Sequence, residues 1–146
     1  MTEFPDKINN EDQLEELLSR PGTELSKMFS RVKGDIMFLG ISGKIGPSLA
    51  KMARRACENT GVKKRILGVA LQIEPEQQKC FSEMGIETIQ GDLLDKDFIE
   101  SLPAFRNIFF LAGMKFGSVD NLPLTWAVNS YLSALAAEHF RDSKII

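Results

Sequence analysis

The sequence predicts an α/β protein, a three-layer open parallel sheet of about five strands preceded by a pair of short helices. Three observations predict it. Between residues 34 and 146, apolar runs of strand length alternate four times with helical patterns. Two of those runs, "DIMFLG" (35–40) and "NIFFLAG" (107–113), end in glycine, in the manner of parallel strands buried on both faces. The connections are short, which favours right-handed crossovers within one sheet.

Composition agrees. The 146 residues, 43% apolar and 26% charged, are enough for one domain with a real core. A net charge of −2 gives no ground for a nucleic-acid or anionic-membrane partner. No apolar run reaches membrane-spanning length. The acidic start "MTEFPDKINNEDQLEE" lacks the apolar segment of a signal peptide, so a cytoplasmic location is expected. Cys57 and Cys80 form no metal or redox pattern, and both fall on apolar stripes of predicted helices. They are expected to be buried free thiols.

The elements follow in order. Asn10 with Gln13 reads as a capping box that starts a helix carrying Leu14, Leu17 and Leu18. Pro21-Gly22 ends it, and Leu25, Met28, Phe29 and Val32 mark a second helix. Residues 1–33 are thus expected to form a helical appendage packing its apolar stripe on a main unit, 34–146. The first strand is 35–40. Ile45, Leu49, Met52, Ala53 and Ala56 form the stripe of the next helix, with Pro47 in its first turn. "RILGVAL" (65–71) is the second strand, and Pro75 opens a helix to Met84 that Gly85 can cap. "IETIQ" (86–90) is the third strand, "DKDFIESL" (95–102) a short helix, and 107–113 the fourth strand. Residues 121–140 read as one long helix with Leu124, Ala127, Val128, Tyr131 and Leu135 on one stripe. Trp126, Ala134 and Ala137 lie on its other side, which calls for a partner. "SKII" (143–146) opens like a fifth strand, and a chain stopping there reads as truncated.

The chemistry concentrates in "FLGISGKIGPSLAKMA" (38–53). Gly40 can end the strand in a conformation other residues avoid. Gly43 leaves room for a pyrophosphate against backbone N–H groups, and Gly46 lets the helix pack closely. The helix N-terminus at Ile45 and Gly46 points free N–H groups at the phosphates. Ser42 and Lys44 add a hydroxyl and a cation. The spacing is G-x-x-G-x-x-G rather than the G-x-G-x-x-G dinucleotide fingerprint. The other reading is a glycine-rich turn with no ligand. The strand–turn–helix context favours the dinucleotide.

Four stretches together resemble the extended short-chain dehydrogenase/reductase family, the NAD(P)-dependent sugar epimerases and dehydratases. They are the glycine loop, "GDLLD" (91–95), "IFFLAG" (108–113) and "TWAVNSYLSAL" in the long helix. The likeness is nearest to proteins known as NAD-dependent epimerase/dehydratase and covers about residues 34–146. It implies a Rossmann-like sheet in the order 3-2-1-4-5. It also implies an adenine contact from Asp92 beside Leu93, and a ribose and nicotinamide wall of Leu111, Ala112 and Gly113. Asn129 matches the family's mid-helix asparagine. The resemblance further implies a homo-oligomer paired through helix 121–140, and hydride transfer on a nucleotide-sugar or related substrate.

Departures from the family are specific. Leu39 and Lys44 stand where it has threonine and an aromatic residue. After the second strand come Leu71 and Gln72, neither acid nor base, with Glu74 just beyond; Lys63, Lys64 and Arg65 precede the strand, at the far end of the sheet. NAD is the expected cofactor and NADP the alternative. The family's catalytic Tyr-x-x-x-Lys is absent, because the sole tyrosine, Tyr131, is followed by Leu135. That pair and the sugar-binding part are expected beyond Ile146, so no residue here is assigned as catalytic. A non-catalytic dinucleotide sensor acting through a protein partner is the alternative function.

Lys115 and Phe116, in the loop after the fourth strand, face either the nicotinamide side or solvent. His139 and the acids Asp95 and Asp97 fit helix-end electrostatics. Trp126 is expected at a packing surface, and Arg54-Arg55 on a solvated face.

Overall fold

The computed structural model describes residues 4–115 and 119–146. Two helices, α1 (Glu11–Leu18) and α2 (Thr23–Arg31), precede the sheet. Then come β1 (Ile36–Leu39), α3 (Gly46–Thr60), β2 (Ile66–Ala70), α4 (Pro75–Glu83), β3 (Glu87–Gln90), α5 (Lys96–Ser101) and β4 (Asn107–Phe110). The long helical segment divides into α6 (Leu122–Trp126), a π turn (Ala127–Tyr131) and α7 (Leu132–His139), and β5 (Lys144–Ile145) closes the sheet. All five strands are parallel, in the order β3-β2-β1-β4-β5. This is the predicted architecture and the predicted order.

The central strands read as apolar runs because both faces are covered. Ile36 and Phe38 of β1 join Ile66 and Ala70 of β2 in one core with Phe29, Ala50, Ala53, Ala56 and Phe81. Met37 and Leu39 point the other way, with Leu67, Val69, Ile99, Leu102, Leu132, Leu135 and Phe140. The strand's period of two thus feeds two layers of helices. Phe38 stacks on its register partner Phe109, ring centroids 4.9 Å apart.

The first helical pair departs from expectation. The Asn10 side chain accepts from the Gln13 N–H at 2.8 Å, but the Gln13 side chain returns to the N–H of Asn9, one residue early. α2 buries Phe29 as expected. α1 buries none of its residues, and Leu14 and Leu18 are 40% and 51% exposed. Polar contacts fasten it instead. Glu15 accepts from Ser48 Oγ at 2.9 Å and meets Lys51 at 3.2 Å, while Arg55 donates to the Glu16 carbonyl at 3.1 Å. Arg54 donates to the Lys64 and Gly85 carbonyls. The arginine pair is therefore structural rather than merely solvated.

The stripe of α3 is also displaced. Ile45 is 62% exposed at the mouth of the loop, and Gly46, Ala50, Ala53, Ala56 and Cys57 face the core. Small residues there let the helix lie close to the sheet. Cys57 is buried as expected, and that burial raises its thiol pKa, so it stays protonated and inert. Cys80 is only half-buried.

At the foot of the sheet Arg65 grips Glu87 on the neighbouring strand through three bonds of 2.7, 2.9 and 3.0 Å. The bond from Arg65 lowers the Glu87 pKa. A depressed carboxylate pKa adds stability above its unfolded value and loses it as pH falls through the folded one. Both side chains are about half exposed, so solvent screens the pair. Glu87→Gln should destabilise by less than about 1 kcal/mol at neutral pH. That difference should vanish in acid, as thermal melts from neutral pH down through the carboxylate range would show.

Candidate functional site

A cleft opens where the strands end, at the point where the chain order reverses between β1 and β4. Open α/β sheets bind ligands at this place. It encloses about 240 Å³ and is lined by the glycine loop (Gly40, Ser42, Gly43), the end of β2 (Ala70, Leu71) and residues 92–94. Leu111, Ala112 and Gly113 after β4, with Val128 and Leu132, complete it.

The three loop glycines have different reasons. Gly40 has φ +93°, a left-handed backbone that side chains rarely take, and a Cβ there would meet the Ala112 backbone N at 2.7 Å. At Gly46 a Cβ would lie 2.1 Å from the Ile41 carbonyl oxygen, so the first residue of α3 touches the loop backbone directly. Gly43 differs from both. Its φ is ordinary, and a Cβ would meet only the Gly40 carbonyl, at 3.3 Å. That contact is tight but single, so packing constrains Gly43 less than the other two, and the residue is exposed at the mouth.

No side chain caps α3. The Gly46 N–H already donates to the Gly43 carbonyl at 3.2 Å and Pro47 has none, so the first turn offers the Ser48 N–H and a positive dipole end to whatever occupies the mouth. Lys44 is exposed beside it. Asp92 folds an oxygen back to the Leu94 N–H at 2.9 Å, which sets the short turn carrying Leu93 and Leu94 along the wall. Leu71 is 71% exposed, and Gln72 lies beside Glu74, amide to carboxylate 3.4 Å.

Asn129 sits on the π turn. Its side-chain oxygen accepts from the Met114 N–H at 2.7 Å and its amide donates to the Met114 carbonyl at 2.8 Å. Both polar groups thus pin the strand-end loop, as a neighbouring strand would. Asn129→Leu removes both bonds, each worth about 1 kcal/mol net. Hydrogen exchange at the Met114 amide should then accelerate at least about tenfold. Unchanged protection would mean that the loop holds itself.

The π turn also redirects the long helix. One added residue rotates everything beyond it by about 100°. Leu132 (3% exposed) and Leu135 face the sheet, whereas Tyr131 (48% exposed) turns outward, against the uninterrupted stripe expected from sequence. Leu124 and Trp126 are also exposed, at 40% and 69%. Leu132 consequently joins the cleft wall beside Val128, a place that the uninterrupted stripe does not give it. Leu94 also lines the cleft, beside the expected Leu93.

The cleft thus unites Gly40, Ser42, Gly43, Leu71, Asp92, Leu93, Leu111, Ala112 and Gly113 of the sequence-expected set. Lys44, Ile45 and Gly46 flank it through the same loop, and Gln72 follows Leu71 outside the lining. Asn129 acts on it through Met114. Lys115 lies beyond Met114 in the same loop, and Phe116 lies outside the described residues. His139 ends α7 with its ring edge-on to Phe140, centroids 4.4 Å apart.

A solved structure has the same shape. The Bordetella bronchiseptica enzyme WbmF, in complex with NAD+ and UDP, superposes with a TM-score of 0.64 over 80% of this chain at 15% identity. The fold is Rossmann-like. The chain spans about a third (35%) of that structure's length. A magnesium- and SAM-bound cmcI chain covers 70% of this one at 20% identity, with a TM-score of 0.43 that carries no argument. No protein-family model matches the chain, and no curated protein matches it. Among the described residues, no helix of this Rossmann-like unit is long and apolar enough to cross a membrane.

Proposed function

We propose that this chain is the dinucleotide-binding portion of an NAD-dependent epimerase/dehydratase-like oxidoreductase, working in the cytoplasm. The observation that carries the reading is Gly43, the loop glycine that packing constrains least, exposed at the mouth of a loop that ends in a helix with no side-chain cap. An NAD-type cofactor fits there: its pyrophosphate would sit over Gly43 against the first turn of α3, with Ser42 and Lys44 beside it. Asp92 and Leu93 would flank the adenine, and Leu111 to Gly113 the ribose at the other end. The cleft's 240 Å³ falls below the roughly 300–1,000 Å³ of a complete small-molecule pocket, so the dinucleotide would extend past it.

NAD is favoured over NADP. Residues 70–74 contain no cation for a ribose 2′-phosphate, and Glu74 can accept from ribose hydroxyls. Bound NAD would supply hydride transfer. This chain's own share is binding and orientation, since Tyr131 turns outward and has no lysine four residues on. The full enzyme's substrate is assigned as a nucleotide-sugar or related molecule, a reading supported by the UDP in the structural neighbour.

Calorimetric titration with NAD(H) and NADP(H) tests this. Saturable binding of NAD(H), with NADP(H) weaker, is the expected result. Absence of binding to either at millimolar concentration would overturn the reading.

Pairing with a second copy through 122–139 belongs to the same reading, supported by the outward Leu122, Leu124, Trp126 and Tyr131. Light scattering should then show a dimer whose dissociation is promoted by Trp126→Glu. A monomer at high concentration would refute it.

A further inference from the structure

At the opposite edge of the sheet, where the strands begin, lies a second concave surface of about 330 Å³. Four cations line it, Arg31, Lys33, Arg106 and Lys144, together with Met28, Val32 and Asn107. Among the described residues, no carboxylate does. Among the described residues, six cations elsewhere form salt bridges, among them Arg20–Glu16, Lys51–Glu15 and Arg65–Glu87. Among the described residues, none of these four takes part in a salt bridge.

A fifth positive charge lies behind them. Lys64 is 8% exposed, and its ammonium donates to the Val32 carbonyl at 2.6 Å and the Gly34 carbonyl at 3.0 Å. Its charge is thus held behind Val32, and among the described residues no salt bridge neutralises it. Like charges gathered this way repel, and an arriving anion offsets that repulsion.

The wall is built rather than incidental. Gly34 has φ +87°, and a Cβ there would lie 2.6 Å from the Arg106 Cβ. Glycine therefore lets the Arg106 stem lie flat on the chain, which restricts where its guanidinium can go. Asn107 donates to the Lys33 and Asp35 carbonyls at 3.0 and 3.1 Å. The Lys144 N–H donates to the Arg106 carbonyl at 2.8 Å. Three separate stretches of chain are thereby tied into one rim.

We propose that this groove binds a small phosphate-bearing polyanion, of pyrophosphate to nucleotide size, at a site separate from the glycine loop. Two guanidinium groups suit the geometry of phosphate oxygens. The volume matches one small molecule and is too confined for a protein partner's footprint. Met28, 46% exposed, and Val32 give an apolar flank for the organic part of such a ligand. The four residues of β1 put the two sites more than about 10 Å apart.

The test is a 15N-edited NMR titration of the chain with pyrophosphate, then ADP, at constant ionic strength set with sodium chloride. Shifts at Lys33, Gly34, Arg106, Asn107 and Lys144 that saturate at millimolar concentration or below are expected. Arg106→Gln, which keeps the stem, and the double variant Arg106→Glu with Lys144→Glu should weaken them at least tenfold and leave the Gly40–Gly46 amides in place. Shifts confined to residues 40–46, groove shifts reproduced by chloride alone, or affinity untouched by the variants would overturn the proposal. So would tighter binding of a poly-glutamate peptide than of ADP. Because the readout locates each ligand, a failure of dinucleotide binding at Gly43 stays distinguishable from a failure here.

Discussion

Replacing Gly46 by alanine should lower the thermal midpoint by about 10 °C or more. The added methyl would lie 2.1 Å from the Ile41 carbonyl oxygen and 2.6 Å from its carbon. These are backbone atoms, which cannot rotate aside. Nor can the loop retreat, because Ile41 is fully buried and its side chain already fills the space over Gly68, where a Cβ would be 2.2 Å from it. Overpacking against a fixed backbone costs about 3 kcal/mol or more. A calorimetric scan reads the shift directly. A midpoint within a couple of degrees of the parent's would mean that α3 does not depend on this close approach.

Gly43→Val should behave in the opposite way. Its Cβ meets only the Gly40 carbonyl at 3.3 Å, a contact that a shift of a few tenths of an ångström in that carbonyl would relieve. Stability should change by no more than about 1 kcal/mol. Dinucleotide affinity should fall at least about a hundredfold, since the side chain fills the space assigned to the pyrophosphate and separates it from the positive N-terminal end of α3. Titration calorimetry and thermal melts on the same preparation give both numbers. A variant that binds as the parent does would remove the observation on which the proposed function rests.

The comparison of these two glycines shows where sequence reading stops. In the string G-x-x-G-x-x-G all three look alike. Only the atoms around each Cβ position separate the one that shapes the loop, Gly40, from the one that seats the helix, Gly46, and the one that leaves space, Gly43. Strand and helix positions were legible, because burial on both faces imposes long apolar runs on β1 and β2 and a short period imposes stripes on the helices. The stripe of the last helix was misread for a physical reason. A π turn has no periodic signature, and one extra residue exchanges Tyr131 for Leu132 on the sheet side. The packing of α1 was misread because leucine spacing suggests an apolar contact, whereas Glu15 and Glu16 make polar ones.

Fold class, strand positions and the place of the glycine loop are all legible along the chain. Those follow from local periodicity and backbone chemistry, which each segment carries alone. Tertiary structure decided the rest. It brought Asp92, Leu111 and Val128, distant in the chain, to the same mouth as Gly43. It set Asn129 against Met114, and it gathered Arg31, Lys33, Arg106 and Lys144 along one unpaired edge of a chain whose net charge of −2 conceals them. Side chains this far apart in sequence meet only because parallel strands all begin at one edge of the sheet and end at the other.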